Sequence, residues 1–148
     1  MESISKLRAK YESMLPIDGI STEAINEIQS KLRVSLPEDF YEIASFYSGG
    51  ILGGISSHSF IRSGNNTNIV DETIELRTKV NLPLRFVVLA EPAESIIVLD
   101  TQNTPSIIWC DAVEVSKLDN KSFISKPDEW NTYLDFFAQL LKLVFDSK

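Results

Sequence analysis

Ile4, Leu7, Tyr11 and Met14 or Leu15 recur at helical spacing, so residues 3–15 are expected to form a first helix, closed by Pro16. Asp18-Gly19 then marks a turn. Ser21 or Thr22 offers an N-cap for a second helix, with Ile25, Ile28 and Leu32 on one face. Leu36-Pro37-Glu38-Asp39 starts a third, because Pro is tolerated at a helix start and two carboxylates meet the positive end of the dipole. Phe40, Ile43, Ala44 and Tyr47 supply its apolar side, and Gly49-Gly50 is expected to stop it.

The texture changes after residue 50. Residues 51–68 hold Gly53, Gly54 and Gly64 with Ser56, Ser57, Asn65, Asn66 and Asn68, which reads as loop with a short strand at 58–62. Val70 to Lys79 reads as a short polar helix with Ile74 and Arg77 on opposite sides, ended before Pro83. Strand runs follow at Phe86–Ala90, Ser95–Asp100 and Ser106–Cys110, with turns at 91–94 and 101–105. These runs are almost continuously apolar, so their strands are buried on both faces or covered by helices. Pro127-Asp128-Glu129 is expected to open a last helix carrying Trp130, Leu134, Phe137, Leu140, Leu141 and Val144. Helices first, an antiparallel meander in the middle and a closing helix define an α+β class in one domain: a twisted antiparallel sheet flanked by N-terminal helices and a C-terminal helix.

Composition narrows the function. At 148 residues, with 43% hydrophobic and 24% charged positions, the chain has the material for one self-sufficient core. A net charge of −7 argues against a nucleic-acid partner, whose phosphates demand Lys and Arg. No apolar run approaches a membrane span, and the charged first residues lack the apolar core of a secretory signal, so no membrane contact and a cytoplasmic location are expected. Residues 1–50 carry 8 acids and 5 bases, 51–90 carry 3 and 4, and 91–148 carry 10 and 5. The acidity therefore gathers on the meander turns and the end of the chain.

Candidate chemistry is thin. Gly49-Gly50-Ile51-Leu52-Gly53-Gly54 lacks the preceding strand and following Gly-Lys-Ser/Thr of a phosphate loop, and reads better as a helix end running into a tight turn. Ser57-His58-Ser59 puts a base next to hydroxyls, but adjacent strand residues face opposite ways. Cys110, the single cysteine, lies in an apolar strand and reads as a small buried hydrophobe. The single histidine, His58, excludes a His-pair metal site, and no metal or other cofactor is expected. Acid pairs such as Glu38/Glu42, Asp71/Glu75, Glu91/Glu94 and Asp128/Glu129 fall at helix starts and turns, where solvation and dipole pairing account for them. No catalytic residue emerges.

The order of elements resembles the Smi1/Knr4 (SUKH) superfamily. The resemblance rests on Ile25-x-x-Ile28-x-x-x-Leu32, then Leu36-Pro37-x-x-Phe40, then the aromatic segment to Tyr47 ending in Ser48-Gly49-Gly50. Downstream, Phe86–Ala90, Ile96–Asp100 and Ile107-Ile108-Trp109 look like its three-strand meander, and Trp130 to Leu141 like its closing segment. The match runs from about residue 20 to 145, with Ser48 replacing the usual Asn and a short 91–94 turn replacing a Gly-rich one. The resemblance implies a non-enzymatic binding domain. Its bacterial members are associated with immunity to polymorphic toxins, many of them nucleases, and its fungal members act as regulatory interaction proteins; a small-ligand sensor is the remaining alternative.

On that basis the expected partner is a basic toxin domain. The expected contact acids are Glu91, Glu94, Asp111, Glu114 and Asp119, all in or beside meander turns. Gly49, Gly50, Pro37 and Trp109 are expected to be structural.

Overall fold

A computed structural model of the protein describes residues 3–62 and 67–146. The chain opens with α1 (Ile4–Met14), α2 (Thr22–Leu32) and the short α3 (Glu38–Ile43). Ser3 and Ser21 cap the first two, each accepting the backbone N–H three residues on, from Lys6 and Ala24, at 3.2 Å. Next come β1 (Gly50–Leu52), β2 (Ile55–Ser57) and α4 (Ile69–Val80). The meander of β3 (Phe86–Ala90), β4 (Ser95–Asp100) and β5 (Ile107–Asp111) leads into a 3-10 segment at Ala112–Lys117, then β6 (Asp128–Trp130) and α5 (Tyr133–Asp146).

All strand pairs are antiparallel and the six strands lie in chain order, β1-β2-β3-β4-β5-β6. Alternation along β4 assigns its two faces. Ile97 and Leu99 join the larger core with Leu7, Ile25, Leu32, Phe40, Phe46 and Phe137 from the helices and the chain after α3. Ile96 and Val98 point the other way, to Phe86, Ile108, Cys110, Val115 and Leu118. Both faces are therefore dry, which explains the unbroken apolar runs. The closing helix seats Phe137 among the rings of Tyr11, Phe46 and Tyr47, with centroids 5.3–6.2 Å apart.

Three expectations fail locally. The strand expected at 58–62 lies earlier: Gly53-Gly54, with φ of +57° and +81°, makes a two-residue turn that pairs Leu52 with Ile55. Two successive positive φ angles suit this tight turn, and Gly-Gly adopts them without strain. The Asn65-Asn66 part of that loop lies outside the described residues. The last helix also starts late. Asp128-Glu129-Trp130 extends the sheet as β6, with Ile107 facing Trp130, because the edge of β5 offers backbone partners to an extended segment. Thr132 then caps α5 through the Asp135 N–H at 3.0 Å, and Asp39 accepts the Leu134 N–H at 2.8 Å from α3. Gly49 and Gly50 do not end a helix either. α3 stops at Ile43, and the glycines, at φ +99° and +94°, lead the chain into β1.

Candidate functional site

The acids expected to form one surface are divided between the two ends of the sheet. Glu91 and Glu94 sit in the β3–β4 turn, and Asp111 ends β5 opposite Ser95. The Ala112 N–H donates to the Glu94 carbonyl at 3.0 Å, which joins these two loops. Asp119 lies at the other end, where it accepts Arg85 Nη1 at 2.8 Å. There Arg85 also reaches Asp100 at 3.2 Å, and Lys121 reaches Asp100 at 3.1 Å. Burial alone would raise the Asp100 carboxyl, but N–H groups of Gln102 and Asn103 with Lys121 and Arg85 outweigh it and hold it below the usual range. Asp119 is thus the outer member of a structural ion network.

Glu114 is not a surface acid. It is 6% exposed, and its carboxylate accepts the N–H groups of Ile124 at 2.5 Å and Ser125 at 3.2 Å. That arrangement ties the 3-10 segment to the chain before β6, and leaves Glu114 no surface to offer a partner. On either side of this anchor two apolar side chains face water: Val113 is 90% exposed, and Ile124 is also exposed. Through the Ser95–Asp111 pairing and the Ala112 N–H on the Glu94 carbonyl, Glu94, Asp111 and the next-but-one residue Val113 lie at the same end of the sheet.

Glu94 holds a φ of +60° in the turn that closes with the Ser95 N–H on the Pro92 carbonyl at 2.9 Å. The third residue of such a turn with positive φ is ordinarily Gly. An L-residue in this region costs about 1 kcal/mol.

Glu91 points away from Glu94 in its allegiance. Its Oε2 lies 2.7 Å from His58 Nε2, while His58 Nδ1 lies 2.7 Å from Thr67 Oγ1. The imidazole therefore serves neither Ser57 nor Ser59. Glu72, in the first turn of α4, completes the group: one ligand atom each from His58, Glu72 and Glu91 falls within 4.8 Å of the others. Burial pushes the Glu72 carboxyl up to about 7, aided by its hydrogen bond to Glu91 and the charges of Glu91, Glu75 and Asp71. Positions 58, 72 and 91 share no sequence motif. The β2–β3 pairing, with the His58 N–H on the Leu89 carbonyl at 2.8 Å, joins 58 to 91, and α4, held to β3 through Thr73 and the Val88 N–H, brings Glu72 to them.

The remaining singled-out positions make contacts within the fold. A Cβ on Gly49 would lie 2.4 Å from the His58 carbonyl oxygen, so Gly49 lets the chain pass directly against the residue that carries the imidazole. Pro37 precedes α3 in extended geometry, as a helix start permits. Trp109 donates its indole N–H to Ser95 Oγ at 2.8 Å and packs on the larger core. Cys110 is buried and its thiol is pushed up to about 11, first by burial and then by Glu114 and Asp111.

Against this geometry, the family described as SMI1-KNR4 cell-wall, of the SUKH group, matches residues 1–142. The chain belongs to the SUKH family. The match takes in α1, whose Leu7 and Tyr11 are core residues of this SUKH fold. No curated protein matches the SUKH chain. Among the described residues no helix is long and apolar enough to cross a membrane.

Proposed function

We propose that this SUKH protein is a non-catalytic, cytoplasmic binding domain that acts as an immunity protein and captures a basic toxin domain. The observation that carries the reading is the sheet end where exposed Val113 stands with Glu94 and Asp111. An apolar centre framed by charge is the usual anatomy of a protein interface, and carboxylates there attract and orient a Lys- and Arg-rich partner. A nuclease toxin must carry such a basic cleft to hold phosphates. The strained Glu94 adds weight, because the turn would be easier with glycine and a carboxylate stands there instead.

A second reading is a regulatory interaction protein, favoured by the cell-wall wording of the matching family. Co-expression separates the two. The toxin domain encoded beside this gene is expected to stop growth alone and to be neutralised by this chain. A gene neighbourhood without a toxin, or undiminished toxicity on co-expression, would contradict immunity.

A further inference from the structure

We propose that His58, Glu72 and Glu91 form a binding site for a divalent transition cation, which ties the start of α4 to the end of the sheet. The three side chains arrive from three separate segments: the residue after β2, the first turn of α4 and the residue after β3. Their ligand atoms lie within 4.8 Å of one another, close enough to close around one ion with side-chain adjustments. The donor set is chemically selective. One imidazole nitrogen with two carboxylate oxygens suits zinc and its neighbours, whereas calcium and magnesium favour all-oxygen cages.

The surroundings of the triad are those of a metal ligand set. Thr67 Oγ1 at 2.7 Å from Nδ1 fixes the imidazole plane with Nε2 turned toward the carboxylates, 2.7 Å from Glu91 Oε2. A hydrogen bond to the ring nitrogen that does not hold the metal orients metal-bound histidines in this way. The His58 side chain is only 10% exposed, while Glu91 remains open to water, so an ion has an approach and a place for a solvent ligand. Two carboxylates against one cation of charge +2 leave the cluster neutral. A cation between them would also offset the repulsion of two carboxylates brought this close together. Asp71 and Glu75 add negative potential on the same helix, partly offset by Arg62, whose Nε lies 3.0 Å from Asp71.

The site is separate from the Glu94–Val113 surface, so it stands or falls independently of the toxin reading. The test is calorimetric titration of the chelator-treated full chain with zinc chloride at neutral pH, alongside thermal melts. One ion per chain and a higher melting temperature with zinc are expected, with no comparable effect of magnesium. His58→Ala and Glu72→Gln should each weaken zinc binding by at least about tenfold. Glu72→Gln removes a crowded charge and keeps the shape, so it is expected to fold and to report on binding alone. Absence of zinc binding by the parent chain, or equal affinity in the parent and Glu72→Gln, would overturn the proposal.

Discussion

The backbone N–H of Val88 donates to the Thr73 hydroxyl across 2.9 Å, joining β3 to the buried face of α4. It does so at a β-bulge. Val88 faces Val98 but Ala90 faces Ile97, so Leu89 is an extra residue in β3. The bulge turns Leu89 and Ala90 both toward the larger core and frees the Leu89 carbonyl for the His58 N–H. Thr73 thus satisfies a donor that the bulge leaves within the protein interior. Thr73→Val should cost about 1–3 kcal/mol in urea unfolding, because it strands that N–H, whereas Thr73→Ser should cost less. Equal stability of the valine variant and the parent would contradict this role.

Asp100 predicts a pH dependence. Its folded-state carboxyl is held below the unfolded value, so its contribution is fully present above about pH 4 and is lost as pH falls through the folded value. Asp100→Asn leaves Arg85 and Lys121 without their shared carboxylate charge, and should destabilise by about 3 kcal/mol at pH 7. The gap between variant and parent should narrow in unfolding curves taken below pH 4. A gap that stays constant down to pH 2 would contradict it.

Gly49 and Gly50 separate two causes of glycine preference. Both have positive φ, but only Gly49 would press a Cβ onto backbone, while Gly50 faces open space. Gly50→Ala should therefore cost about 1 kcal/mol through conformation alone. Gly49→Ala should cost clearly more, read as a larger fall in thermal midpoint. The reverse order would contradict the close approach to His58.

Most of the frame was legible because it repeats short-range signals. Ile25, Ile28 and Leu32 share a helix face, and the three meander runs announce themselves by length and apolar content. The failures lie where two local readings compete and a distant partner decides. Asp128-Glu129 after a proline satisfies the rules for a helix start, yet β5 recruits it, and Thr132 with the remote Asp39 sets the true start. Glu114 looks like any turn acid until residues 124–125 fold over it. The His58–Glu72–Glu91 group had no sequence signal at all, since the β2–β3 pairing and the packing of α4 on β3 create it.

Glu94 sets stability against binding. Glu94→Gly relieves an L-residue at φ +60° and should raise stability by about 0.5–1 kcal/mol in denaturant unfolding. The same change should weaken capture of the toxin domain. A variant that binds as tightly as the parent would remove Glu94 from the interface.

The most direct test titrates the adjacent toxin domain into the parent chain and into a Glu94→Lys, Asp111→Lys, Val113→Asp variant at roughly 50 and 300 mM salt. Binding by the parent that weakens at the higher salt, and a loss of at least about tenfold in the variant, are expected. Unchanged affinity of the variant at both salt concentrations would contradict this.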